Sequence, residues 1–276
     1  MLLNFTKMQG LGNDFIVIDA VSHPVKITAG QIRFLSDRHF GVGCDQVLII
    51  EPAHDSSMDF FYRIFNADGG EVEQCGNGAR CFVRYVHDKG LTCKTDITVG
   101  TISGNIHPRI EADGQISVDM GVPRFIPQEI PFVAEKESSS YSLEVAGEKF
   151  DVGVVSVGNP HVVLQVEDIE HVPVASLGPV IESHARFPRR VNVGFMQVVD
   201  RSHIRLRVYE RGVGETLACG SGACAATVIG RRQGLLDDSV SVELPGGSLL
   251  VQWSGGEETV RMTGPAFHVF EGKIEL

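Results

Sequence analysis

RIFNADGGEVEQCGNGARCFVRYVHDKGL (residues 63–91) and RVYERGVGETLACGSGACAATVIGRRQGL (residues 207–235) decide the reading of the fold. Laid over each other without a gap, Arg63 falls on Arg207 and Phe65 on Tyr209. Gly70-Glu71 falls on Gly214-Glu215, Cys75-Gly76 on Cys219-Gly220, Gly78-Ala79 on Gly222-Ala223, and Gly90-Leu91 on Gly234-Leu235. So many glycines and one cysteine held in a single frame point to an internal repeat. A weaker echo lies upstream, where Gly12-Asn13 resembles Gly158-Asn159. Duplication into two similar domains related by a pseudo-twofold axis is expected. The alternative is one strand–loop–helix motif used twice inside a single domain.

Each copy reads as strand, glycine-rich loop and helix. Asp59–Phe65 and His203–Tyr209 have the aromatic, β-branched and alternating character of strands. Residues 66–78 and 210–222 are rich in turn formers, and Ala79–Lys89 and Ala223–Gln233 are helix formers. Gly90 and Gly234 stand where a helix wants a left-handed residue past its end. Further strands are expected at Phe15–Asp19, Gln46–Ile50, Gly153–Val157, His161–Val166, Val193–Val199 and Val240–Leu244. Thr28 and Gln31 fit a capping box for a helix near residues 29–38. Gly121-Val122-Pro123 reads as a domain boundary, and Lys136–Ser140 as a hairpin tip or short linker.

Composition narrows the function. The 276 residues are 43% hydrophobic and 21% charged, enough for a globular core. A formal net charge of -11 disfavours a nucleic-acid partner. No apolar run has the length of a membrane span, and the N-terminal residues lack the pattern of a signal peptide, so a cytoplasmic protein is expected. Its cysteines, at 44, 75, 81, 93, 219 and 224, are then expected as reduced thiols. Their spacings match no common zinc pattern, and no metal is expected.

Cys75 and Cys219 each stand just before Gly-x-Gly-Ala at an expected helix start. The first turn of a helix leaves N–H groups unpaired and carries positive partial charge. A thiol there ionises more readily than a free one, and the same N–H groups can hold a carboxylate. If the two starts face each other, Gly76 and Asn77 on one side and Gly220 and Ser221 on the other can grip one substrate carboxylate. The adjacent α-carbon then lies between two sulfurs. One thiolate takes the α-proton, the opposite thiol delivers a proton to the other face, and the centre inverts. The oriented N–H dipoles stabilise charge flowing into the carboxylate. Cys81, Cys93 and Cys224 read as small apolar core residues, and Cys44 sits in a loop expected near the site.

At this point the sequence resembles a known family. Met8–Phe15 (MQGLGNDF), Phe65–Gly69 (FNADG) and Gln74–Arg80 (QCGNGAR) resemble segments of diaminopimelate epimerases. So do Gly158–His161, Asn192–Phe195, Tyr209–Gly212, Ala218–Gly222 and Thr263–Ala266, so the resemblance covers essentially the whole chain. It implies an isomerase that interconverts LL- and meso-2,6-diaminoheptanedioate with two cysteines, without pyridoxal phosphate or metal, for lysine and peptidoglycan synthesis. It implies Cys219 as proton acceptor and Cys75 as donor for the LL form. The implied fold is α+β, two pseudo-symmetric domains with a mixed, mostly antiparallel sheet around a central helix in each. The halves are then residues 1–120, completed by 265–276, and 121–264. A homodimer is implied as well.

By the same resemblance, Asn13, Asn66, Asn159, Asn192 and Arg211 hold the distal amino-acid group of the substrate, with Gln46 nearby. Arg211 suits its carboxylate, because a guanidinium pairs with it bidentately. Glu210 pairs with an ammonium group or sets the ionisation of a thiol, and His161 helps deprotonate a cysteine. One departure is Phe270, where some relatives have tyrosine. Three rival readings remain: a proline-type racemase on the same fold, opposed by Glu210-Arg211; a nucleotide-binding loop at Gly220–Ala225 with Glu243; and a redox-sensing dithiol protein.

Overall fold

The computed structural model describes residues 1–72 and 76–276. Cys75 therefore lies outside the described residues, as do Glu73 and Gln74. By its contacts the chain divides into two compact units, Met1–Val118 with Gly264–Leu276, and Asp119–Thr263. The class is α+β, with two sheets and few helices. No helix among the described residues is long and apolar enough to cross a membrane.

In the first unit the strands are β1 (Leu2–Gly10), β2 (Asn13–Asp19), β3 (Gln46–Pro52), β4 (Phe60–Asn66), β5 (Glu71–Val72), β6 (Val99–Thr101) and β7 (Gly104–Ile106), followed by the hairpin β8 (Arg109–Ile110) and β9 (Ile116–Asp119). Helix α1 (Ala29–Ser36) joins β2 to β3, and α2 (Gly76–Asp88) joins β5 to β6. The sheet order is C-terminal strand, β1, β2, β3, β4, β6, β7, with β5 also paired to β4. β2–β3 and β4–β6 are parallel; the other neighbours on this path are antiparallel. The C-terminal strand Phe267–Glu275 returns to pair with β1. The central strands β2 and β3 each carry an unbroken buried run, because side chains on both faces of the sheet are covered.

The second unit contains β10 (Tyr141–Val145), β11 (Glu148–Ser156), β12 (Pro160–Gln165), β13 (Asn192–Asp200), β14 (His203–Glu210), β15 (Gly214–Thr216), β16 (Ser239–Leu244), β17 (Gly247–Gln252) and β18 (Arg261–Gly264). Helix α3 (Val174–Glu182) joins β12 to β13, and α4 (Gly220–Arg232) joins β15 to β16. From β10 to β17 the order and strand senses repeat those of the first unit, with β12–β13 and β14–β16 parallel.

Even the register repeats. Ile64 pairs with Val72 and Phe65 with Glu71, as Val208 pairs with Thr216 and Tyr209 with Glu215. In each hairpin an arginine of the long strand clamps the glutamate of the short one. Arg63 Nε and Nη2 donate to Glu71 at 2.7 and 2.8 Å; Arg207 donates to Glu215 at 2.6 and 3.0 Å. The helix ends match too. Leu91 N–H bonds Val86 O and Leu235 N–H bonds Gly230 O, both at 2.9 Å, with Gly90 and Gly234 at φ 66° and 76°. These are Schellman ends, where glycine avoids the Cβ penalty of a left-handed residue.

Three expectations need correction. Both long helices begin at the glycine, three residues before the expected Ala79 and Ala223. Glycine-rich first turns have low helix propensity, but burial of the turn overrides it. Part of each expected loop instead forms the short strands β5 and β15. Cys93 is exposed rather than core; it lies in a polar, exposed connection before β6. Cys81 and Cys224 are fully buried. So is Cys44, whose thiol donates to Ser36 Oγ at 3.4 Å inside the apolar cluster beneath α1, and burial pushes that thiol up. Helix α1 carries the expected capping box at Thr28 and Gln31.

Candidate active site

The first unit assembles its polar residues at the β2, β3 and β4 ends and the first turn of α2. Gln46 and Asn66 face each other across β3 and β4, and Gln46 Nε2 donates to Asn66 Oδ1 at 2.9 Å. Gln46 Oε1 is buried with no hydrogen-bond partner among the described residues. A buried acceptor left this way is costly until water or a ligand satisfies it. Asn13 opens β2, and its Oδ1 accepts from Asn77 Nδ2 at 3.3 Å. Gly76 and Asn77 form the first turn of α2 and are buried, with their backbone N–H groups at the positive end of the helix.

The second unit builds its cluster around α4. Cys219 is the N-cap residue, buried, with no side-chain cap bond. Its Sγ lies 3.7 Å from Ser221 Oγ. Ser221 Oγ is 3.0 Å from His161 Nε2, which is also 2.9 Å from Asn159 Oδ1. Asn159 precedes β12 and His161 sits within it, so the start of a buried strand meets the start of a buried helix. His161 is in register with Asn192 on β13. Asn192 Nδ2 donates to Pro160 O at 2.9 Å, and its Oδ1 accepts the Arg211 N–H at 3.0 Å. The Arg211 guanidinium, exposed, donates to Arg189 O at 3.2 Å.

Electrostatics make this cluster different from the sequence expectation. Burial, and then the Glu210 charge, push the Cys219 thiol well above its ordinary range, against the lowering effects of the Gly222 N–H and the Ser221 hydroxyl. The helix start is thus outweighed, and Cys219 is a protonated thiol at neutral pH. Burial and the Arg211 charge push His161 down to about 3, so its ring is neutral. A neutral ring of such low basicity is suited to orient Ser221 and Asn159 by hydrogen bonds; Glu210 is the carboxylate whose charge acts on the thiol. Glu210 Oε1 accepts from Thr216 Oγ1 at 2.6 Å, which ties the acid to β15.

Residues 5–126 and 153–269 match the family model described as diaminopimelate epimerase. The chain belongs to the diaminopimelate epimerase family. Proteins named diaminopimelate epimerase from Thioalkalivibrio sulfidiphilus and Stutzerimonas stutzeri are 61% and 60% identical, each aligned over 100% of both chains. That from Nitrosospira multiformis is 59% identical over 100% of this chain and 99% of its own. Among solved structures, a phenazine biosynthesis protein of the PhzF family from Bacillus anthracis aligns over 100% of both chains with TM-score 0.70 and 15% identity. A hydroxyproline epimerase from Agrobacterium vitis aligns over 99% of this chain and 92% of its own, with TM-score 0.69 and 16% identity. These two likenesses show the fold alone.

In this diaminopimelate epimerase family member, several polar residues around the site were not singled out from sequence. Asp45 and Arg80 bond the amides of Asn13 and Asn77, and buried Glu182 accepts the Gly212 N–H at 2.7 Å beside Arg211. Asp45 follows Cys44 in a loop that was already suspected. Glu182 ends α3, and no local pattern marks it.

Proposed function

We propose that this chain is a cofactor-independent epimerase interconverting LL- and meso-2,6-diaminoheptanedioate, acting in lysine and peptidoglycan precursor synthesis in the cytoplasm, as a homodimer. The observation that carries the reading is a reactive residue type, Cys219, capping α4 beside Glu210 in a chain that matches curated diaminopimelate epimerases along its whole length. For the LL form, Cys219 passes its proton to Glu210 and the thiolate removes the α-hydrogen. Cys75 delivers a proton to the opposite face. The electron pair left on the α-carbon delocalises into the carboxylate, which the N–H groups of Gly76, Asn77, Gly220 and Ser221 hold. The hydrogen count balances: one proton leaves the substrate to one sulfur, and one arrives from the other.

His161 orients Ser221 and thereby the N-terminal turn around Cys219. Asn13, Gln46, Asn66, Asn159, Asn192 and Arg211 read the distal amino-acid group. Gln46 Oε1, which has no partner among the described residues, offers an acceptor to an ammonium, and Arg211 offers a fork to a carboxylate. A site built for both groups rejects substrates that lack them, since its polar atoms are then left unpaired.

The test is turnover of LL-diaminopimelate by the purified chain after exhaustive chelation, with L-proline and trans-4-hydroxy-L-proline as rival substrates. Conversion to the meso isomer without added metal supports the reading. Inversion of the imino acids with none of diaminopimelate contradicts it.

A further inference from the structure

Two charged side chains bracket the amides of the first unit. Asn13 Nδ2 donates to Asp45 Oδ2 at 3.0 Å, Asn77 Nδ2 donates to Asn13 Oδ1 at 3.3 Å, and Arg80 Nη2 donates to Asn77 Oδ1 at 2.8 Å. The chain thus begins at a carboxylate and ends at a guanidinium. An ionised carboxylate only accepts and a guanidinium only donates. One orientation of the two amides alone satisfies every link. Turning Asn13 over sets its oxygen against Asp45 and its NH2 against the NH2 of Asn77. Turning Asn77 over sets its NH2 against Arg80.

Both ends are themselves fixed. Arg80 is fully buried, and its Nε donates to Pro265 O at 3.1 Å. Asp45 accepts from Arg38 Nη2 at 2.8 Å and from the Asp14 N–H at 3.0 Å. Asp14 in turn takes two bonds from Arg38, at 2.9 and 2.8 Å, pairs with Lys7 at 2.7 Å, and accepts the Asp45 N–H at 2.8 Å. Lys7 also donates to Gly43 O. Charge-assisted bonds at each end make reversal costly, and links in one direction polarise each other.

We propose that Asp45 and Arg80 are positioning residues that set the donor–acceptor polarity of Asn13 and Asn77, and so the hydrogen-bond pattern the first unit offers to the substrate. This rests on the reading of Asn13 as a substrate-binding residue of a diaminopimelate epimerase. The role belongs to recognition, so the relay acts on KM more than on kcat. A purely structural brace would instead move the melting temperature and leave KM alone.

The experiment is a double-mutant cycle on diaminopimelate turnover with Asp45→Asn, Asn13→Ala and the pair. Asp45→Asn is isosteric, and the new amide can donate as well as accept, which frees the relay to run in either sense. The expected result is a KM about tenfold higher in Asp45→Asn, of the size one mis-set hydrogen bond gives, with kcat within about twofold and the melting temperature little changed. The same substitution is expected to add nothing in the Asn13→Ala background. Arg80→Lys, which keeps the charge and loses the fork, should raise KM in the same direction. If Asn13→Ala raises KM while Asp45→Asn keeps the wild-type value, or if the Asp45→Asn effect persists undiminished without the Asn13 amide, the relay is overturned. If Asn13→Ala leaves KM unchanged, the binding role of Asn13 falls first and the proposal with it.

Discussion

Gly222→Ala tests how tightly the second unit holds the Cys219 sulfur. Gly222 lies in the first turn of α4, and a Cβ there would stand 2.9 Å from Val208 Cγ2 and 3.3 Å from both Cβ and Sγ of Cys219. Ordinary contact begins at 3.4 Å, so the Val208 methyl must retreat by at least 0.5 Å and the thiol must give as well. Alanine stabilises a helix interior by about 0.5–1 kcal/mol over glycine, and overpacking a core costs about 1–3 kcal/mol. The net loss is about 0–2.5 kcal/mol, a drop of no more than about 10 °C in melting temperature. Activity is far more sensitive. Displacing a reacting group by about 1 Å can cost about 10²-fold, so a shift of a few tenths of an ångström predicts a kcat loss of about 4- to 10-fold. Thermal melting and LL-to-meso conversion on the same preparation measure both. A folded Gly222→Ala protein with kcat within twofold of wild type would refute the claim that this turn fixes the sulfur. At the matching position of the first unit, Gly78, the nearest atom among the described residues is the flexible tip of Ile64 at 3.1 Å, which can give more easily than Val208, so Gly78→Ala should be milder in stability.

The two arginine clamps should differ in strength. Arg207 also donates to Ile169 O and Val172 O at 3.0 and 3.2 Å, whereas Arg63 pairs with Glu71 and Glu51. Arg207→Met should therefore cost about 2 kcal/mol in urea unfolding and Arg63→Met about 1 kcal/mol or less; equal losses would contradict the assignment. His161 makes an acid-side prediction. Its folded pKa, about 3, lies below the ordinary 6.5, so between these values the unfolded chain binds the extra proton and stability falls as pH falls. The slope from this group is at most about 1.4 kcal/mol per pH unit, and His161→Gln should flatten the stability profile between pH 6.5 and 4. An unchanged profile would show that the ring is not buried neutral.

The duplicated core was legible because its marks are local. Cys219, the paired glutamates Glu71 and Glu215, and the terminal glycines Gly90 and Gly234 recur at one offset, and the structure gives them matching strands, register and helix ends. The helix starts were misjudged because Gly76–Gly78 and Gly220–Gly222 read as turns, and only burial makes them helical. Lys7, Asp14, Arg38 and Asp45 were invisible as a set for a different reason. They come from β1, β2 and the loop after α1, and only the parallel pairing of β2 with β3 brings them together. Glu182 and Thr216 escaped notice in the same way, since each bonds a partner in another element or turn and follows no periodicity of its own. Cys93 misled because a single cysteine carries no pattern that separates core from surface. The Cys219 pKa also ran opposite to the local expectation. The helix start acts within one turn, while Glu210 and the surrounding burial arrive through the tertiary fold.

The most direct test is the isotope content of both diaminopimelate pools during the first turnovers in D2O, starting from the unlabelled LL form. Two separate proton carriers predict deuterium at the inverted α-carbon of the meso product while the remaining LL substrate stays unlabelled. Product that keeps its original α-hydrogen, or substrate that gains label as fast as product forms, would show that a single group handles both faces.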